Sequence, residues 1–249
     1  PLLKTAWHQG SPYNNMISLG ENGQKCVTGC VATAIAQIMK HHNYPRSGIK
    51  ATDAYITRTM KYRVPSIDLT KTVYKWGDML NTYYATNSTT NQRNAVAELV
   101  YHCGAALRMD YTISESAAYD FDVLRAMVEN FGYDPGIRQI NRFATGSDDA
   151  WKSILKHEID NNRPVYYSGQ NAAGNSGHAW VCDGYDANGF MSFNWGWGSY
   201  SSYYDIDANS YKKDQIAIIE IKPKSTNSSC PMPTGLHANY WYITHNSAT

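Results

Sequence analysis

One cysteine and one histidine stand out because of the backbone grammar around them. Cys30 follows Thr28-Gly29 and opens a segment in which Val31, Ala34, Ile35, Ile38 and Met39 recur at helical spacing, so the pattern predicts a helix over 30–42 with Cys30 in its first turn. The N–H groups and positive dipole end of a helix start stabilise a thiolate and lower the pKa of its thiol. A thiolate is a strong nucleophile once a base stands near it. Taken alone, such a cysteine is more often a small buried residue, so a partner is needed. His178 is the candidate. It joins a Gly/Asn/Ser loop (169–177) to an apolar strand, and Gly177 before it permits close approach of another backbone. The next strand ends Asn194-Trp195-Gly196-Trp197-Gly198. If the connecting loop takes 184–189, His178 falls opposite Trp195 with Asn194 diagonal to it. A tighter Asn188-Gly189 turn moves Asn194 several residues away. An imidazole steered by a third group and acting on a nucleophile is the arrangement of covalent catalysis. Without Cys30, a strand histidine bonded for structure would be the better account.

These residues need elements to position them. The 30–42 segment reads as a central helix: Ala32, Ala34 and Ala36 keep it thin, Thr28 suits its N-cap, and Lys40, His41 and His42 suit its negative end. Asn43-Tyr44-Pro45 stops it. Further helices are predicted at about 91–108, about 120–131 with Phe121 among its apolar face, and about 147–162 behind a Ser147 cap. After Pro164 the pattern changes to short strands at 165–168, 178–185, 190–195, 202–206 and 215–222. Helices first and strands later mean an α+β fold, a helical lobe packed on an antiparallel β-sheet lobe. Cys103 falls on the core face of its helix. Cys182 shares His178's strand face, where packing is the favoured role, and His8 beside Gln9 has no assigned part.

Composition narrows the function classes. Of 249 residues, 43% are hydrophobic and 17% charged, with 20 Tyr and 7 Trp, a balance that favours burial over disorder. A net charge of +1 without any Lys/Arg run offers nothing to nucleic acid or an acidic surface. The longest apolar stretch, 31–39, is too short to span a bilayer. No signal peptide opens the chain, which is the pattern of a cytosolic or an already processed protein. Five cysteines leave at least one thiol unpaired. Zinc is disfavoured: Cys30 would lie about 16 Å along its helix from His41 and His42, and His178 about 13 Å along its strand from Cys182. No metal or cofactor is implied.

Several stretches together resemble one family: Trp7-His8-Gln9-Gly10-Ser11-Pro12-Tyr13-Asn14, Thr28-Gly29-Cys30-Val31-Ala32-Thr33-Ala34 through Gln37 to Pro45, Arg163-Pro164-Val165-Tyr166-Tyr167, Gly177-His178-Ala179 and Asn194-Trp195-Gly196-Trp197-Gly198. They are similar to the streptopain family of secreted bacterial cysteine peptidases, and nearest to its interpain and periodontain type. The resemblance covers about residues 1–224. It implies a papain-like fold, endopeptidase activity on protein substrates, a bacterial secreted or cell-surface location, and synthesis with a signal peptide and an inhibitory N-terminal pro-segment absent from this chain. It makes Cys30 the nucleophile and His178 the general base. Gln9 becomes, with the Cys30 backbone N–H, a donor to the oxyanion, and Asn194 and Trp195 the segment behind the histidine. Ser116, Ala117 and Gly177 fall where the family contacts substrate. Here the chain departs from the family: Ile113-Ser114-Glu115-Ser116-Ala117-Ala118-Tyr119 replaces a small Gly/Ser-rich loop, so that Glu115 and Tyr119 would narrow or charge the pocket.

The chain is expected to divide into a peptidase domain, 1–224, and a linker with the start of a truncated immunoglobulin- or fibronectin-III-like module, 225–249. A tail that docks on the main domain is the alternative. A monomer is expected. Competing functions are a papain-fold amidase or transglutaminase, since fold does not fix reaction, and a non-catalytic adhesion or binding module suggested by the Tyr- and Trp-rich composition.

Overall fold

In the computed structural model, which describes residues 1–84, 87–207 and 209–225, the first helix, α1, spans Cys30–His42 as its periodicity predicts. Every residue from Val31 to Met39 is buried. A helix without a solvent face must be thin, and the alanines make it so. Asn43 in the left-handed conformation closes it. The start differs from expectation. Gly29, not Thr28, is the N-cap, and no side chain caps the first turn. The Thr28 hydroxyl bonds instead to that of Thr33, 2.9 Å away.

Three more helices follow. Helix α2 (Thr90–Ala106) begins with a capping box between Thr89 and Gln92. Helix α3 (Asp120–Arg125) is shorter than predicted and continues as a π-helical turn over Ala126–Asn130, which turns Ala126, Met127 and Asn130 inward. Phe121, expected on the core face, is exposed and stacks on Tyr119. Helix α4 (Asp148–Asp160) starts at the predicted Ser147 cap, whose hydroxyl accepts the Ala150 N–H.

Two small hairpins pair β1 (Gly20–Glu21) with β2 (Gln24–Lys25) and β3 (Tyr55–Ile56) with β4 (Arg63–Val64). The main sheet holds β5 (Arg138–Asn141), β6 (Val165–Gln170), β7 (Gly177–Tyr185), β8 (Met191–Asn194), β9 (Ser202–Tyr204) and β10 (Lys213–Ile219), antiparallel in the order β5-β10-β6-β7-β8-β9. Edge strand β5, Arg-Gln-Ile-Asn, has no buried face and so no alternation to reveal it. Side chains of β7 alternate between two cores. Ala179 and Val181 meet α1 in the larger one, while Trp180 and Cys182 join Trp151, Leu155, Tyr167 and Phe193 under α4. Cys182 is therefore packing, on the far side of the sheet from α1. The fold is papain-like α+β.

The β7–β8 register corrects the one drawn from a 184–189 loop. The turn is tight, with Asp186 accepting the N–H groups of Asn188 and Phe190, and a bulge lies between Cys182 and Gly184. Asn194 therefore pairs with Val181 and not diagonally to His178. At the chain's far end Ile221 is buried and Pro223 bridges to Tyr133. The expected linker and truncated module lie, except for Ser225, outside the described residues.

One buried ion pair clamps α4 to the sheet. Glu158, 1% exposed, accepts two bonds from the Arg163 guanidinium (2.7 and 2.8 Å) and one from the Glu220 N–H (2.9 Å). Removing one partner strands the other's charge in the interior. Arg163→Ala should cost about 3–5 kcal/mol in urea unfolding, whereas the exposed pair Lys50–Glu129 should cost about 1 kcal/mol or less when broken.

Candidate active site

Gly29 sets the position of Cys30. Its φ of 85° lies in the left-handed region, and a Cβ there would stand 2.6 Å from the Met109 sulfur and 3.0 Å from the Ser116 carbonyl oxygen. The chain can thus turn sharply into α1 with the 114–118 loop laid against it. With no side-chain cap present, the first helical N–H groups stay available. Those of Cys30 and Val31 reach the Cys30 sulfur, and so does the amide of Ala179 on β7. That last contact places the thiol beside His178.

The His178 imidazole is 8% exposed. Its Nε2 lies 2.8 Å from the Trp195 carbonyl oxygen. A carbonyl only accepts, so Nε2 carries the proton and Nδ1 is the free basic nitrogen of the neutral ring. Trp197, 55% exposed, stacks over the ring at 4.9 Å, and Tyr211 flanks it at 5.3 Å. These faces shield the His178–Trp195 bond from water. Asn194 does not touch the imidazole. Fully buried, its Nδ2 donates to the Thr5 carbonyl (2.8 Å) and its Oδ1 accepts from Gln37 Nε2 and the Gly196 N–H (3.1 Å each).

Gln37 was not among the residues marked out by the sequence. It lies about two turns beyond Cys30 on α1 and is fully buried. Its Oε1 accepts from Thr5 Oγ1 (2.8 Å) and the Trp7 N–H (3.4 Å), while its Nε2 donates to Asn194. One amide thus joins the helix of Cys30, the N-terminal segment leading to Gln9, and the segment whose carbonyl holds His178. The signal available was a glutamine inside an otherwise apolar helix face, since a buried amide needs partners. Gln9 lines the cleft, and its own carbonyl accepts the Thr28 N–H (3.1 Å). His8 also gains a part: its Nδ1 accepts the Gly10 N–H (3.1 Å), which shapes the turn after Gln9.

Gln9, Cys30, Ser116, Ala117, Gly177, His178 and Trp197 all line a cleft of about 340 Å³. Asn194 and Trp195 stand behind it. Ser116 contributes backbone more than hydroxyl, because its Oγ donates to the Val27 carbonyl at 2.7 Å and accepts the Thr112 N–H at 3.0 Å. A Cβ on Gly177 would touch only the Gly169 oxygen, at 3.4 Å. No close backbone approach within the protein requires that glycine, contrary to expectation. Glu115 lines the cleft as expected, but Tyr119 does not. Its hydroxyl accepts from Arg58, whose guanidinium lies 4.4 Å from the ring centroid. The carboxylate that acts on Cys30 is Asp120, which the sequence suggested only as the opening of a helix.

Charge in this cleft runs against expectation. Burial pushes the Cys30 thiol up to about 11 against the pull of the three N–H groups, and Asp120 raises it further. Burial holds His178 down to about 4, with the Trp195 carbonyl acting weakly the other way. Desolvation therefore outweighs the helix end, and a lone charge on either group is disfavoured. A charge on either group would be compensated only if the other carried its opposite.

The Gln37–Asn194 bond can be measured. Gln37→Leu and Asn194→Leu should each cost about 2–4 kcal/mol in unfolding free energy, because buried partners lose their bonds. The double variant should cost less than the sum by about 1–3 kcal/mol. Strict additivity would show that the two amides act independently.

The Peptidase C10 family model matches residues 7–204. Streptopain of Streptococcus pyogenes is 37% identical over 247 residues, covering 87% of this chain and 60% of streptopain. The chain thus spans well under two thirds of that relative's length. The thiol protease/hemagglutinin PrtT of Porphyromonas gingivalis is 32% identical over 254 residues, 94% of this chain and 29% of PrtT. Among solved structures, the active wild-type interpain A cysteine protease of Prevotella intermedia superposes with a TM-score of 0.78 at 34% identity, covering 87% of this chain and 92% of interpain A. A prointerpain A fragment gives a TM-score of 0.77 at 32% identity, covering 90% and 72%. The match runs from the segment that carries Gln9, through α1 and β7, to β9, and the chain belongs to the Peptidase C10 family.

Proposed function

We propose that this chain is a cysteine endopeptidase that hydrolyses peptide bonds of proteins through Cys30 and His178. The observation that carries the proposal is the convergence, in one cleft, of a cysteine at an uncapped helix start and an imidazole whose Nε2–H is held by the Trp195 carbonyl. With Nε2 protonated, Nδ1 takes the thiol proton as sulfur attacks the substrate carbonyl, and returns it to the leaving amine. Gln9 and the Cys30 N–H donate to the oxyanion that forms. Water then hydrolyses the thioester, with the same imidazole as base. Trp195 serves through its carbonyl and Asn194 by fixing that carbonyl's place, so both are positioning residues. Ser116, Ala117 and Gly177 would hold substrate backbone along the cleft wall. No metal or cofactor enters any step. All these residues come from one chain, so a monomer suffices.

The name prointerpain A, carried by one solved relative, supports an inhibitory N-terminal pro-segment in this protein's precursor. The streptopain resemblance supports action outside a bacterial cell. A papain-fold amidase or transglutaminase would share the Cys–His pair but differ in acceptor. Peptide turnover with and without added amine separates them: hydrolysis products alone are expected, and an amine-linked product would favour the transferase. Binding without turnover would favour an adhesion module.

Two measurements test the roles. Gln9→Ala should lower kcat by about 100- to 1000-fold with little change in KM, because the oxyanion exists only beyond the ground state. A pure KM effect would move Gln9 out of the oxyanion site. The pH profile follows from the singly protonated Cys30–His178 pair. Gaining a proton leaves an uncompensated buried imidazolium, so the acid limb should fall near the His178 value of about 4. Losing one leaves an uncompensated buried thiolate, so the alkaline limb should lie near the Cys30 value of about 11. The kcat/KM should therefore be flat between about pH 5.5 and 8, whereas an unperturbed imidazole would give a midpoint near 6.5.

A further inference from the structure

The carboxylate of Asp120 has no part in the chemistry above, yet it lines the cleft with Cys30. Its Oδ1 accepts from the hydroxyl of fully buried Tyr166 at 2.5 Å, and Ser168 donates a second hydroxyl bond. Desolvation holds its carboxyl above the usual range. Among the described residues no Lys, Arg or His pairs with it. The neighbouring cations are committed elsewhere, Arg125 to Asp122 and Arg58 to Asp110 and Tyr119. Among the described residues no Lys or Arg lines the cleft, and its other carboxylates, Glu115 and Asp214, lie exposed at the rim.

A carboxylate in such a place is costly twice over. It is desolvated without a counter-charge, and its negative charge opposes the thiolate of Cys30. A cation brought in by the substrate removes both penalties. It also extends the guanidinium or ammonium donors that Tyr166 and Ser168 lack, which makes a charge-assisted bond in a low-dielectric pocket. An aliphatic side chain gains packing there but leaves the charge unanswered.

Resting on the peptidase reading, we propose that Asp120 is a specificity-determining residue, selecting peptides whose Lys or Arg side chain enters the cleft between Val31, Ala118 and Ser168, close to the bond being cut. The chemical class of substrate is thus a cationic segment of an unfolded or extended protein. The Ser116 loop only frames this pocket, and Glu115 at the rim draws the cation toward it.

The test uses internally quenched peptides identical except for Arg, citrulline, Lys, norleucine or Glu at each of the few positions preceding the cleaved bond. Citrulline keeps the shape of arginine without its charge. At one position Arg should exceed citrulline by about 10- to 100-fold in kcat/KM, and Lys should exceed norleucine similarly. Asp120→Asn, which can retain the Tyr166 bond, should bring both ratios to about 1. Equal cleavage of Arg and citrulline peptides at every position overturns the proposal, as does a ratio that survives in Asp120→Asn. Binding of the same labelled peptides to Cys30→Ala protein, read by fluorescence anisotropy, separates this from the peptidase reading. Charge-selective binding lost in Cys30→Ala/Asp120→Asn, with no cleavage by the unaltered chain, would sink the peptidase reading and leave the pocket assignment standing.

Discussion

The burial of α1 on all sides is the constraint from which the rest of the site follows. A helix whose residues Val31 to Met39 are all buried has no freedom to shift, so whatever it carries at its open end is placed rigidly. Burial on that scale supplies the hydrophobic stabilisation but gives no direction. Direction comes from the single amide of Gln37, which engages Thr5, Trp7 and Asn194 at once. A buried polar network of this kind is tolerable only when every member is bonded, and so it admits one arrangement of three chain segments. Gln9, Cys30 and the carbonyl behind His178 inherit that arrangement without any of them touching Gln37.

The same burial sets the electrostatics. An exposed helix start would lower a thiol's pKa, as an isolated view of Thr28-Gly29-Cys30 suggests. Here Cys30 is half-buried in the cleft wall, and the desolvation of a lone thiolate exceeds what three N–H donors return. On the proposed mechanism the neutral pair is then the resting state, and charge separates as the proton passes from Cys30 to His178. Trp197 and Tyr211 pack against the imidazole and leave it 8% exposed, which limits the water that can compete for the Trp195 bond. Positioning and proton transfer are thus two consequences of one enclosure.

Much of this was legible beforehand, and the reasons for the gaps are physical. Helix α1 was read to its last residue because periodicity, alanine content and the Asn43-Tyr44-Pro45 stop agree. Cys30, His178 and Gln9 were found by motif and now meet in one cleft. Register was not readable. A tighter turn, combined with a bulge at Cys182–Gly184, moved Asn194 from beside His178 to a place opposite Val181, and no local pattern encodes that. Strand β5 lacked an apolar face to betray it. Gln37 and Asp120 were missed for a shared reason: each is an ordinary residue in its own segment, and its meaning lies in partners far along the chain, Asn194 for one and Tyr166 for the other.

Those two residues also mark a division of labour across the cleft. On the His178 side the Asn194 amide is answered from within the protein by Gln37, Thr5 and Gly196, and the imidazole Nε2 by Trp195. On the α3 side, Asp120 has hydroxyl donors but no cation. A satisfied network is rigid and has nothing left to offer a ligand, which suits the groups that must hold reacting atoms in place. A carboxylate lacking its counter-charge keeps binding capacity in reserve, which suits discrimination between substrates. Selectivity on that side need not disturb the geometry on the other, because the two sides meet at the sulfur of Cys30 and at the central strands β6 and β7.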